Sequence, residues 1–161
     1  MKQIFESENI YFFPVDVSLA PDYLKMINDM ENVGRWIIKR TEPVTEESEI
    51  EWVKRKLDIK EPIFSMIEKA TGEFIGNIEF MDSDGVVGEL GIAITADKQD
   101  KGFGCEAIPA MIRYGIDVLH LQRIFLKVFP DNARAIRVYE KCRFKEYDRS
   151  GDDVFMEYIG E

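Results

Sequence analysis

The spacing of apolar residues changes twice along the chain, and each change predicts a different kind of element. The run Ile-Tyr-Phe-Phe-Pro-Val-Asp over Ile10 to Asp16 predicts a first strand. Pro14 draws it towards a sheet edge, because proline has no amide hydrogen to give a neighbour. Pro21 then stands where a helix favours its first residue, and Tyr23, Ile27 and Met30 mark one face. A second helix is predicted over Thr45 to Leu57. Thr45 offers the N-cap, acids fill the first turn, Ile50, Val53 and Leu57 recur at helical spacing, and Lys54, Arg55 and Lys56 close it.

From residue 63 the period shortens to that of strands. Ile63 to Lys69, the turn Ala70-Thr71-Gly72-Glu73, and Phe74 to Asp82 read as a hairpin. Ser83-Asp84-Gly85 turns again, and Gly88 to Thr95 makes a third strand. Residues 103 to 119 predict a long helix with Ala107, Met111, Tyr114 and Val118 on one stripe; Pro109 should kink it or delay its start. Arg123 to Pro130 reads as a buried strand, residues 132 to 142 as a short helix, and 144 to 149 with 154 to 159 as a last hairpin around Gly151-Asp152. The expected fold is a mixed α/β one, with a largely antiparallel sheet of about six or seven strands and about four helices. No linker, repeat or low-complexity tract interrupts it, so residues 1–161 are read as a single domain.

Composition narrows the function. The chain has 31 acids against 21 bases and a net charge of -10, which argues for no nucleic acid partner and no anionic membrane surface. Cys105 and Cys142 are too few for a disulfide framework, and with a single histidine they make a poor metal inventory, so no metal is expected. Nothing approaches the ~18 consecutive apolar residues of a membrane span, and Met1 to Asn9 lacks a signal-peptide layout. These features predict a soluble, cytoplasmic protein.

The segment richest in chemistry is Gln99-Asp100-Lys101-Gly102-Phe103-Gly104-Cys105-Glu106-Ala107, between the strand Leu90 to Thr95 and the long helix. Glycines let backbone amides turn into one concavity, and a helix N-terminus adds about half a positive charge, which suits a diphosphate. A P-loop is excluded, since no Gly-Lys-Ser or Gly-Lys-Thr is present. Gly102-x-Gly104-x-x-Ala107 fits a relaxed dinucleotide fingerprint. However, Ala96 to Lys101 separate it from its strand, and about 30 residues after Asp131 are too few for the second half of that fold. A glycine-rich turn without a ligand is the bland alternative.

A second motif changes that balance. Gln-x-x-Gly-x-Gly at 99 to 104, followed by Asn132-Ala133-Arg134-Ala135-Ile136-Arg137-Val138-Tyr139-Glu140-Lys141-Cys142-Arg143-Phe144, resembles the GNAT superfamily of acetyl-CoA-dependent N-acetyltransferases. The first run looks like that family's pyrophosphate loop, the second like its Asn-x-x-Ala-x-x-x-Tyr-x-Lys helix along the pantetheine arm. The resemblance runs from about Phe64 to Phe155 and more loosely over the whole chain. Glu-Leu-Gly at 89 to 91 and Gly-Phe-Gly-Cys-Glu-Ala are similar to the branch holding ribosomal-protein N-terminal and spermidine acetyltransferases.

The resemblance implies acetyl-CoA as donor and assigns roles residue by residue. Backbone amides of Gln99, Asp100, Lys101, Gly102, Phe103 and Gly104 would grip the pyrophosphate. Lys101 adds charge or is an ordinary loop lysine, and Phe103 packs more than it binds. Ile92, Ala93 and Ile94 would pair through their backbone with the pantetheine amides as an added strand. Asn132 caps its helix and touches the cofactor arm, and Arg134 lies beside it. Tyr139, seven residues after Asn132 and so on the same helix face, would protonate the departing thiolate. Its bland alternative is a packed aromatic. Glu89 is the candidate base, directly or through a water, against an ordinary charge at a strand end. His120 lies far from the glycine loop and reads as a capping or surface residue. Both cysteines read as packing residues. Arg143 stands where the family usually has glycine; a left-handed arginine would cost roughly 1 kcal/mol, or the helix ends differently.

The implied reaction is transfer of acetyl from acetyl-CoA to a primary amine in a ternary complex, the acceptor being a small cationic amine or polyamine or a peptide N-terminus. Acids at Asp29, Glu31, Glu42, Glu46, Glu47, Glu49, Glu51, Asp148, Asp152 and Asp153 favour a cation, or simply favour helix starts and turns. The alternative from another class is a non-catalytic acetyl-CoA or CoA sensor. Exposed strand edges allow a homodimer.

Overall fold

A computed structural model describes residues 2–37 and 42–160. Eight strands form one sheet: β1 (Phe5–Glu6), β2 (Ile10–Pro14), β3 (Ile63–Glu68), β4 (Phe74–Met81), β5 (Val87–Ile94), β6 (Arg123–Val128), β7 (Phe144–Ser150) and β8 (Asp153–Tyr158), in the order β1-β2-β3-β4-β5-β6-β8-β7. The helices are α1 (Ala20–Ile27), α2 (Arg35–Ile37), α3 (Glu46–Asp58), α4 (Phe103–Asp117) and α5 (Ala133–Lys141). The class and chain order agree with the sequence reading; the counts exceed it by β1 and α2. Two or three residues are too short to show any apolar period.

Proline and capping rules account for several boundaries. β2 is not an edge strand, but β1 pairs only with Phe12 and Tyr11, so Pro14 sits at the strand's end beyond that cover. Thr45 caps α3 by accepting from the Ser48 amide at 3.1 Å. α4 runs unbroken through Pro109, so the kink expected there does not divide the helix. Arg143 takes the left-handed conformation, with φ of 74°. Its amide donates to Glu140 O at 3.1 Å and its Nε to Gly160 O at 2.9 Å, ending α5 as a glycine would.

Two apolar clusters hold the layers. Ala107, Ile108, Met111 and Ile112 of α4 pack on Ile78, Phe80 and Leu90 of the sheet. Val15, Tyr23, Val53 and Ile63 form the second cluster with α1 and α3. Tyr23 is fully buried and its hydroxyl is satisfied: it accepts from the Asp16 amide at 3.2 Å and meets Ser65 Oγ at 2.5 Å, which donates to Asn77 at 2.8 Å. Lys98 is 7% exposed and ion-paired with Glu68 at 2.8 Å and Glu73 at 2.7 Å, tying the turn after β5 to the β3–β4 hairpin.

The feature that positions a site is a break in the sheet. β5 and β6 form its one parallel pair, bonded at Val87–Arg123, Gly88–Ile124 and Glu89–Phe125. Among the described residues β5 then continues to Ile94 with no partner on that side, while β6 pairs along Phe125–Val128 with β8. Among the described residues no helix is long and apolar enough to cross a membrane, and no cluster of His, Cys, Asp or Glu is placed to hold a metal.

Candidate functional site

The opening between β5 and β6 is framed by α4 and α5. Gly102 caps α4 in a left-handed conformation, φ 87°, with nothing within 4 Å of where a side chain would stand. The loop therefore presents bare backbone in front of a 15-residue helix. A Cβ at Gly104 would stand 3.5 Å from Val138 Cγ1 and 3.6 Å from Ile94 Cδ1, so the start of α4, the end of β5 and the middle of α5 converge there. An exposed glycine loop, a helix N-terminus and an unpaired strand edge together suit a ligand with a diphosphate and an amide-bearing arm.

Each loop residue can be placed. Asp100 and Lys101 are exposed, and Asp100 has φ of 60°. Phe103 is 8% exposed and packs in the core, leaving only its backbone for a ligand. Gln99 is a latch: its Nε2 donates to Ile94 O at 2.9 Å and to Asn32 O at 3.2 Å, and its Oε1 accepts from Arg134. Arg134 also stands 3.6 Å from Asp100, so it ties the loop to the first turn of α5. Asn132 caps α5, accepting from the Ala135 amide at 3.3 Å. Ile92 and Ile94 pack against the α4 core, and Ala93 is half-buried on the other face.

Tyr139 follows Val138 on α5 and is half-buried, its ring 6.1 Å from that of Phe144. Among the described residues its hydroxyl has no hydrogen-bond partner, and burial pushes its pKa up to about 12. Cys142, one turn on, is buried beside Cys105, and burial pushes its thiol up to about 11. A thiol that holds its proton is a poor nucleophile, in keeping with a packing role. His120 is exposed in the turn after α4, at φ 59°, away from the opening.

Glu89 stands at the last bonded step before the sheet opens. Burial raises its carboxyl above the ordinary range, opposed by Lys127 Nζ at 3.9 Å. Beside it the structure places Glu79, which the sequence reading passed over. Strand alternation and the pairing of Glu79 with Gly91 and Met81 with Glu89 set both acids on one sheet face. Burial likewise raises Glu79, with Lys56 lowering it in part. Its Oε2 is buried without a hydrogen bond, although Lys56 Nζ lies 3.4 Å away. The available signal was one acid in the apolar strand Phe-Ile-Gly-Asn-Ile-Glu-Phe-Met, opposite a glycine within a strand.

Comparison with known proteins agrees with this geometry. A family model described as an acetyltransferase (GNAT) domain matches residues 9–145. An uncharacterized N-acetyltransferase of Bacillus licheniformis is 31% identical over 133 residues, 81% of this chain and 61% of that protein. A spermidine N(1)-acetyltransferase of Vibrio cholerae is 29% identical over 93 residues, 56% of this chain and 54% of that protein. The chain thus spans little more than half the length of these relatives. Among solved structures, a GNAT-family acetyltransferase of Bacillus anthracis superposes with a TM-score of 0.83 at 20% identity, covering 94% of this chain and 95% of that one. The Vibrio cholerae spermidine N-acetyltransferase in complex with CoA and spermine gives 0.78 at 18% identity, covering 92% and 93%.

Proposed function

The chain belongs to the GNAT acetyltransferase family, and we propose that it transfers the acetyl group of acetyl-CoA to a primary amine. The observation that carries this reading is the unpaired edge of β5 between the bare glycine loop and the unpartnered hydroxyl of Tyr139. The Gln99–Gly104 amides would hold the pyrophosphate, and the backbone of Ile92–Ile94 the pantetheine arm. Acetyl-CoA supplies the thioester; the proton handling falls to side chains of this protein.

Glu89 takes the proton from the incoming ammonium, directly or through a water. Its raised pKa brings it closer to the amine's own and lessens the mismatch that a strongly acidic carboxyl would face. Glu79 holds the ammonium before that transfer through Oε1, the oxygen beside Gly91, while Lys56 stands at Oε2. The free amine then attacks the thioester carbonyl, the carbon–sulfur bond breaks, sulfur leaves with the electron pair, and the nitrogen's second proton passes to the released thiolate, giving a neutral amide and CoA thiol. Tyr139, at about 12, keeps its proton at neutral pH and donates a hydrogen bond to the departing sulfur. Complete transfer to a thiolate of ordinary pKa, about 8.5, would be uphill. Its contribution is therefore stabilisation of the developing charge.

The test combines thiol release from acetyl-CoA over a panel of primary amines with thermal unfolding in CoA. Amine-dependent release is expected, with Tyr139→Phe lowering kcat by about 10²–10³ while the CoA-induced rise in midpoint stays. A CoA-induced rise without turnover on any amine would make the protein a sensor. No rise with CoA would end the reading.

A further inference from the structure

We infer that Lys56 selects the charge class of the acceptor: its ammonium fills the place of a second cation between Glu61 and Glu79, so the site takes primary amines carrying a single positive charge. The inference rests on the proposed acyl transfer and narrows its substrate. It differs from what the name of the spermidine-acetylating relative from Vibrio cholerae says of that protein.

Lys56 lies in the last turn of α3, and its Nζ is ion-paired with Glu61 and stands 3.4 Å from Glu79 Oε2. The lysine, Glu61 and Glu79 side chains are only 14%, 9% and 19% exposed, so water screens the group weakly. Burial works against the lysine's charge, but the Glu61 hydrogen bond and the nearby Glu79 carboxylate hold its pKa above the ordinary value. It is a permanent internal cation. Glu61 Oε1 also accepts from the Asp82 amide at 3.3 Å, which fixes this carboxylate at the turn between β4 and β5.

The consequence follows from position. Glu79 and Glu89 share the sheet face at the opening, and each has a lysine nearby: Lys56 at 3.4 Å and Lys127 at 3.9 Å. The reacting ammonium of an acceptor shares these carboxylates. A second ammonium a few carbons away would need Glu61 or the far side of Glu79, where Lys56 already stands. Like charges at such contact repel strongly in a poorly screened site. Asp82 is exposed at the rim and gives a second ammonium only a solvated partner.

The discriminating probes are butylamine and 1,4-diaminobutane, which share a carbon chain and differ by one charge. Each is measured by kcat/KM with acetyl-CoA and by the rise in unfolding midpoint that it adds to the CoA complex. The wild-type protein should favour butylamine at least 10-fold in both readouts. Lys56→Gln should shift that ratio towards the diamine at least 10-fold, and Lys56→Arg, which keeps the charge, should not. A CoA-induced midpoint rise in Lys56→Gln shows that the variant is folded. A wild-type preference for the diamine, or a ratio that Lys56→Gln leaves within 2-fold, overturns the inference. Binding preferences as expected without turnover would sustain it while ending the acyl-transfer reading, and absence of binding by either amine overturns it.

Discussion

The side chain of Glu79 lies across the backbone of Gly91: a Cβ on Gly91 would come 3.4 Å from Glu79 Cγ and 3.5 Å from Oε1. Gly91 pairs with Glu79, and the carboxylate lies over it on the sheet face that also carries Glu89.

Gly91→Ala should therefore affect the fold more than the acceptor. The other close atom is Met81 Cε at 2.8 Å, the end of a flexible side chain that can give way. A stability loss of about 1 kcal/mol is expected, with KM for the amine within 2-fold of wild type, since the new methyl meets Glu79 only at ordinary van der Waals distance. Glu79→Gln should raise amine KM about 10-fold or more, the scale of one lost charge-assisted hydrogen bond. CoA affinity should be unchanged in both. Steady-state kinetics with CoA titration checks this, and equal losses in amine and CoA binding would contradict it.

The pH dependence of turnover should report Glu89. Burial raises its carboxyl, Lys127 offsets part of this, and Asp82 and Asp153 add to it. A base works only when deprotonated, so kcat/KM should rise with pH through a limb above the ordinary carboxylate value of about 4.3. Glu89→Gln should lower kcat about 100-fold or more and abolish that limb. A profile from pH 4.5 to 9 on both proteins decides it; an unchanged limb in the variant would assign it to another group.

Lys98 predicts a pH dependence of stability instead. Its hydrogen bonds hold the Glu68 and Glu73 carboxyls below their ordinary value, and those carboxylates raise Lys98 in turn. Depressed carboxyls contribute stability above their unfolded pKa and lose it as pH falls through the folded one. The raised lysine contributes below its unfolded pKa and loses it only at strongly alkaline pH. Lys98→Met, which keeps the apolar stem, should lower the unfolding midpoint most between pH 6 and 8, with the gap to wild type closing towards pH 3. A gap constant across that range would place the effect in packing.

Much of this protein is local information. Apolar period, turn residues and caps predict β2 to β8 and the four longer helices within a few residues, because those signals act over one or two turns of chain. Gln99 to Gly104 and Asn132 to Tyr139 were legible as a pair of motifs for the same reason: each is contiguous. Pro109 shows the limit of a local rule. The missing hydrogen bond is real, yet α4 is held on both sides of it by Ile108, Met111 and Ile112 in the core. Arg143 shows another: its backbone is left-handed and its side-chain Nε donates to Gly160 O, 17 residues away.

The sequence by itself therefore determined the order of elements, the family and the two motif segments proposed to hold the acetyl donor. Only the tertiary structure decided what stands around the proposed acceptor site. Lys56 comes from a helix, Glu61 from a loop, Glu79 and Glu89 from two strands, and Gly91 from the strand position opposite Glu79. No spacing along the chain encodes that group, because charge pairing and burial depend on distances in space that form only when α3 closes over the sheet.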